Sequence, residues 1–479
     1  MYPFNHMSMR RTRSELLATP ETISLSLPTR PPVKDLSDVN GHLVADRQRY
    51  KTSPKESWSS KGASVSRSIH SVLMTLQIMA LFPNPNSNRK PRWRRATRLV
   101  LMLNYSALAI LLNCYLLNKN IWLITAFRER FGLMHASTVS CIITGIKPMI
   151  NIFLIGLFVI RVREHMRLIK TLDTIDFCFR SAFHVSPPTR FYVAVFFVIV
   201  GFFTVIPFTF KVVEFIYTDQ KFGSSVIQDT AFIIVPTLSL WNIIPLLYYH
   251  LYNRLVRFYC RTLVKSLDLE HRKRRFSLKF YYEQFLRITS AQATVGNLFN
   301  PFILFSLAWS MLVLCLTIYF ITQPHSSLLE PISPEQITVP EIRIRLTRSV
   351  HFTICWAGLQ VLVALMHIVI ICHTGMNTNE TTRGVVTAVL RIVPDANADL
   401  DRFQISCFVH KMSTQFMWGM TVWRAFPLER TTFFTLVSVI VTYAFLLLKL
   451  KENPAMTPIT RQFIIHNNGS MVFTTTLSP

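Results

Sequence analysis

Seven long apolar stretches constrain this chain more than any other feature. They cover about residues 98–118, 135–160, 191–213, 230–252, 299–322, 349–373 and 431–450. A helix rises about 1.5 Å per residue, so each stretch can cross the roughly 30 Å of a bilayer's hydrocarbon. No water reaches a backbone N–H or C=O there, so each stretch has to fold as a helix. Pro148, Pro207, Pro236, Pro245 and Pro301 lie in or at the ends of the stretches, and neighbouring helices must satisfy the carbonyls they free. The predicted fold is all-α: a polytopic membrane protein with seven transmembrane helices. Length alone, 479 residues, would fit about three soluble domains. With half the residues hydrophobic, only 16% charged and 37 phenylalanines, the chain lacks the polar surface those domains would need.

Charge in the links sets the orientation. The link 161–190 holds six Lys/Arg and 253–298 holds ten, including "HRKRR" at 271–275; "RKPRWRRATR" before the first span adds six. The links 119–134 and 214–229 hold three and one. The positive-inside rule puts the N-terminus, 161–190, 253–298 and 374–430 in the cytosol and the C-terminus outside, with 323–348 outside despite its three arginines. The net charge of +26 is thus a topology signal, and nucleic acid is not an expected partner.

Residues 1–65, rich in Ser, Pro, Thr and Arg, have little to bury and are expected to form a disordered cytosolic tail. The first apolar stretch begins near residue 71, so no cleavable signal peptide is expected. Within 66–97, "IHSVLMTLQIMALFP" (69–83) is too short to span and fits either an interfacial or re-entrant helix or an ordinary packing segment. Spans one to six (98–373) would form one bundle, which the family resemblance given below implies to be ligand-binding. The link 253–298, with "LVRFYCRTLVKSL" and "FYYEQFLRI", has helical apolar spacing and is expected to extend spans four and five into the cytosol. The region 374–430 has similar character in "LDRFQISCFVHKMSTQFMWGMTVW", so these segments should pack together as a cytosolic helical anchor. Residues 431–450 form the seventh span and 451–479 an extracellular tail.

The eight cysteines fall in spans or cytosolic segments and show no CxxC or Cys/His spacing, so they are expected to be packing residues rather than disulfide or metal ligands. No cofactor is expected. Lys147, followed by Pro148, sits in the middle of the second span, where an ionisable group needs a partner: a carbonyl freed by the proline, or an acid. Of the sequons "NET" (379–381) and "NGS" (468–470), only Asn468 lies outside and is expected to carry glycan.

The seventh span ends on "TYAFLLLKL" (442–450). This resembles the C-terminal signature of insect-type gustatory receptors: Thr-Tyr, five hydrophobic residues, then Gln-Phe. Thr442 and Tyr443 match, Lys449 stands where the family has Gln, and Leu450 where it has Phe. "VLRIVPDANADLDRFQ" (389–404) and "SIHSVLMTLQIMALFP" (68–83) are similar to stretches of the sugar-receptor branch. The resemblance implies a ligand-gated non-selective cation channel in the plasma membrane of sensory dendrites. It also implies a homo- or hetero-tetramer with related subunits, pore-lining seventh helices and a pocket for a small tastant, a sugar, in each subunit. Thr442, Leu446 and Lys449 share one helix face: if it lines the pore, Leu446 is a gate and Lys449 an outer ring, and otherwise the stripe faces lipid or neighbouring spans and the lysine marks the membrane boundary. Lys449 leaves three readings open: its side chain snorkels into outer water, partner subunits supply the glutamine, or the pore disfavours cations. Four ammoniums about 8 Å apart would repel by roughly 2 kcal/mol per pair at an effective dielectric near 20.

For the pocket, outer-half candidates are Trp241 and Asn242 in span four, Tyr319 in span five, and His351, Trp356 and Gln360 in span six. Aromatic rings would stack on a sugar's apolar face while amides and imidazole bond its hydroxyls. A metabotropic seven-span chemoreceptor, and a non-conducting subunit of a mixed receptor, are the alternatives. A transporter would carry repeated spans broken by glycine, and an enzyme would carry a motif such as HExxH or GxSxG; neither is found, and catalysis is not expected.

Overall fold

The computed structural model describes residues 64–82, 92–131, 136–217, 237–272, 278–322, 340–391, parts of 402–410, 420–422 and 426–452. Nearly all of this is helix. In chain order come α1 (Val65–Ser68), α2 (His70–Ile78), α3 (Arg92–Phe131), α4 (Ala136–Ile160), α5 (Val162–Phe183) and α6 (Thr189–Tyr217). Then follow α7 (Leu240–Arg272), α8 (Leu278–Ile321), α9 (Pro340–Leu390), a two-stranded hairpin of β1 (Thr421–Val422) and β2 (Phe426–Pro427), and α10 (Arg430–Glu452). Helices α3, α4, α6, α7, α8, α9 and α10 carry the seven predicted spans in order. The start of the fourth, 230–236, lies outside the described residues, as do the N-terminal tail to residue 63 and the segment 453–479 with Asn468.

Four helices are much longer than a bilayer needs. At 40, 33, 44 and 51 residues, α3, α7, α8 and α9 run about 60, 50, 66 and 77 Å. Each therefore projects well beyond the hydrocarbon. Burial sorts the helices by what they face. Of the apolar windows in α3 and α6 only 11% and 17% is buried, against 61% for α8. Leu101, Leu108 and Leu111 on α3, and Phe191, Val198 and Val205 on α6, are exposed, as lipid-facing side chains must be. The inner helix is α7. Its Tyr248, Tyr249, Tyr252, Leu255 and Tyr259 are fully buried, and because neighbours rather than lipid surround it, it tolerates Asn242, Asn253 and Arg257.

The segment 64–82 packs into the bundle. Val65, Ile69, Val72, Leu76, Leu81 and Phe82 are all fully buried. At its start the Ser66 N–H donates to Asp173 of α5 (2.9 Å). At its end, the carbonyls that a helix C-terminus leaves unpaired find side-chain donors. Tyr105 donates to Ile78 (2.7 Å), Trp241 Nε1 to Met79 (2.9 Å) and Ser106 to Ala80 (2.8 Å). Ala80, at φ 59°, turns the chain there in the left-handed conformation common past a helix end. Ser106 lies 14 residues into α3, about 21 Å along its axis. The tip of this segment thus reaches the apolar part of the bundle while its base sits at α5. Backbone ends at such depth persist only when satisfied, and here they are.

Helix α5 is amphipathic: His165, Leu168, Ile169, Leu172, Ile175, Asp176 and Phe179 form one buried stripe at helical spacing. Asp176 is held by Arg180 (2.7 Å) and by the Tyr259 hydroxyl (3.3 Å). Burial raises its carboxyl pKa, against the lowering pull of Arg180. His165 stacks on Phe158 (4.8 Å between centroids) and meets Phe82 and Phe299 edge-on. Burial, with Arg161 nearby, pushes its imidazole down to about 3, so it stays neutral. Arg161, just before α5, donates to the Asn297 carbonyl of α8 at 2.8 Å. That carbonyl is the one Pro301, four residues on, leaves without its helical donor.

Candidate functional site

Lys147 on α4 is 5% exposed. Its Nζ donates to Ser239 Oγ at 3.4 Å and lies 5.5 Å from the Trp356 ring centroid. The expected partner was a proline-freed carbonyl or an acid; the structure instead provides a hydroxyl and an aromatic face. Lys211 of α6 approaches the same ring at 5.1 Å, and its charge is met by Glu214 at 2.5 Å. Indole faces attract cations through the ring quadrupole, an attraction that strengthens when water is excluded.

Lys147, Trp356 and Gln360 line a cavity of about 30 Å³ between α4, α8 and α9. With its open side counted, the unfilled space comes to about 470 Å³. Thr144, Thr317 and Thr353 supply hydroxyls, while Ile143, Leu238 and Phe320 close the walls. The enclosed part suits about one water, so a larger ligand has to occupy the mouth or widen the pocket. The Gln360 Oε1 is buried with no hydrogen-bond donor. Among the described residues no acid lines the cavity.

Of the six predicted ligand residues, then, Trp356 and Gln360 line this cavity and four lie elsewhere. Trp241 ties down the tip of the segment 64–82 through Met79. Asn242 donates to Asn151 Oδ1 (3.2 Å), and Asn151 Nδ2 bridges to Asn113 Oδ1 and the Leu238 carbonyl, both at 3.2 Å. This buried amide chain joins α3, α4 and α7 as polar residues do in membrane bundles. Tyr319 is buried on α8, where Thr317 and Phe320 line the cavity in its place. His351 is exposed, its Nδ1–H donating to the Thr347 carbonyl (2.7 Å). Ser239, Thr317 and Thr353 were missed because hydroxyl residues are common in apolar helices and carry no distinctive spacing.

Helix α10 is apolar but peripheral. It meets the core through Phe433, Leu436 and Ile440, and beyond them Val441, Thr442, Tyr443, Phe445, Leu446 and Lys449 are exposed. Leu450 continues the helix. Just before α10, the hairpin is clamped onto α9. Asn379 Nδ2 donates to the carbonyls of Met420 (3.2 Å) and Leu428 (3.1 Å), and its Oδ1 accepts from Met420 N–H (2.6 Å). Arg383 pairs with Glu429 (2.5 Å) and Glu380 with Arg430 (3.0 Å). Gly375, one turn earlier, lies so close that a Cβ there would stand 2.5 Å from Leu428 Cδ1 and 2.6 Å from its Cβ. The "NET" sequon is therefore consumed structurally: the Asn379 amide is buried and fully engaged.

A family profile described as "7tm Chemosensory receptor" matches residues 69–449. "Probable G-protein coupled receptor egl-47" of Caenorhabditis elegans is 60% identical over 399 residues, covering 82% of this chain and 76% of that protein. The insect olfactory receptor OR5 from Machilis hrabei superposes with a TM-score of 0.54 at 11% identity, over 80% of this chain and 97% of that one.

Proposed function

The chain belongs to the 7tm chemosensory receptor family, and from that premise we propose that it is a subunit of a ligand-gated, non-selective cation channel opened by a small polar tastant. One observation carries the reading: the seventh helix is apolar yet leaves Thr442, Tyr443, Leu446 and Lys449 uncovered by its own chain. A lone membrane helix gains little from exposing Tyr443 and Lys449 to lipid, whereas four such helices around an axis would cover one another and give these residues an aqueous lumen. The olfactory-receptor fold supports a tetramer assembled in this way. Leu446 is then the hydrophobic constriction and Lys449 the outer ring. The cavity under Trp356 is the ligand site, and the likeness of 389–404 and 68–83 to the sugar-receptor branch points to a hydroxyl-rich ligand. The plasma membrane of sensory dendrites is the corresponding site of action.

The clamp gives a route from site to pore. Helix α9 carries Trp356 and Gln360 at one end and Gly375, Asn379 and Arg383 at the other, and the clamped hairpin leads directly into α10. A shift of α9 on ligand binding therefore reaches the pore helix through a few rigid contacts.

The name of the nematode relative favours a second reading, a receptor acting through G proteins, which requires an external N-terminus. An epitope placed after Pro479 and stained on intact cells separates the two. Staining without permeabilisation, together with ligand-evoked current in excised patches lacking nucleotide, is the expected result. An internal C-terminus in surface-expressed protein would overturn the channel. Lys449→Gln should then raise cation conductance if the ammoniums line the lumen and leave it unchanged if they point outward.

A further inference from the structure

The cavity under Trp356 holds the Lys147 amine, with no carboxylate beside it among the described residues. Among the described residues Lys147 has no carboxylate partner; its only hydrogen bond is the long one to Ser239. Among the described residues the acid near the shared indole is Glu214, which already pairs with Lys211, so the described side chains around Trp356 include no carboxylate for Lys147. A buried ammonium in the middle of a membrane bundle is costly unless paired, and groups of this kind mark sites where the counter-charge arrives from elsewhere. The second unmet group is Gln360 Oε1, 3% exposed as a residue and calling for a donor. The two complementary chemistries are a carboxylate for Lys147 and a hydroxyl for Gln360.

We propose that the cavity binds a small hydroxycarboxylate, its carboxylate on Lys147, a hydroxyl donating to Gln360 Oε1 and its carbon face against Trp356. The enclosed space of about 30 Å³ takes part of the head group, and the wider mouth takes the remainder. Thr317 and Thr353 offer further hydroxyl contacts. This rests on the reading of the cavity as the ligand site of a receptor, and it narrows a hydroxyl-rich ligand to one that also bears a negative charge. A neutral sugar would leave Lys147 as unmatched as before.

The test uses the full chain in lipid nanodiscs, with binding read as a ligand-dependent rise in the thermal unfolding midpoint. Probes are the pairs lactate and lactamide, and glucuronate and glucose, which separate charge from hydroxyl count. At least one acid should bind tenfold or more tightly than its neutral partner. Lys147→Gln should abolish that preference and Lys147→Arg retain it. Equal binding of acid and neutral partner, a preference that survives Lys147→Gln, or no binding by any of the four overturns the proposal. Should Lys147→Gln not fold, lactate against lactamide on the unaltered chain decides alone. Current recordings with the same probes keep the two readings apart. Acid binding without current would remove the channel and leave this site, while current from glucose alone would do the reverse.

Discussion

Gly375→Ala is the sharpest available probe of the contact between α9 and the hairpin. Two effects oppose one another. In a helix interior, alanine is favoured over glycine by about 1 kcal/mol, because glycine loses more backbone entropy on folding. Against that, the new methyl would stand 2.5 and 2.6 Å from Leu428 Cδ1 and Cβ. A rotamer change can move Cδ1, but Cβ moves only with the backbone, which Asn379 holds at Met420 and Leu428. Overpacking of this kind costs about 1–3 kcal/mol, so the net loss is about 1 kcal/mol. The diagnostic is a change of sign in a second background. Leu428→Ala alone removes a side chain that is 1% exposed and should cost about 2–5 kcal/mol through the cavity it leaves. With Leu428 already truncated, Gly375→Ala meets no clash and should stabilise by about 1 kcal/mol, a coupling of about 2 kcal/mol. Unfolding of the four purified proteins in graded denaturing detergent measures it. Additive effects, or a stabilising Gly375→Ala in the unaltered background, would refute the close contact and the route through it.

Other substitutions test separate parts of the molecule. Arg161→Ala removes the donor to the Asn297 carbonyl and should cost about 1.5–3 kcal/mol, as a charged hydrogen bond does; in a Pro301→Ala background, whose restored N–H takes over that carbonyl, the same detergent titration should find most of the cost gone. His165 should make the fold acid-sensitive. An unfolded imidazole gains its proton near 6.5, the buried one only near 3, so between these the unfolded state binds more protons and stability falls with falling pH. The slope is about 1.4 kcal/mol per pH unit below 6.5, and His165→Phe should remove it from stability measured between pH 6.5 and 4.5. Trp241→Phe keeps the ring and loses the bond to the Met79 carbonyl, for which a loss of about 1 kcal/mol is expected in unfolding measurements.

How much of this could be read from the sequence depended on the physics behind each signal. The apolar lengths sufficed for the helices and their order, because hydrocarbon permits so few alternatives. The inner position of α7 was harder to see: Asn242, Asn253 and Arg257 lower its hydropathy because protein, not lipid, surrounds it. Lys147 stood out as an anomaly in the sequence, but its partners are 92 and 209 residues away, and no local pattern announces Ser239 or Trp356. Trp241 and Asn242 were chosen for ligand-like chemistry and are used to join segments. Such chemistry serves both ends equally well, and only the fold tells them apart. The clamp was invisible for the same reason: Asn379 stood out only as part of a sequon on the cytosolic side, and Gly375 looked like any other glycine.

The Trp241 bond to Met79 has a consequence for how the protein is made. The two residues are 162 positions apart, so the segment 64–82 cannot take its final place until the fourth span has been inserted. Asp173, which holds the base of the same stretch at Ser66, is synthesised in between. A helix made before α7 therefore docks only after it. Until it does, its apolar face and three carbonyls stay open, a visible mark of an unfinished receptor for any quality-control factor that inspects nascent membrane chains.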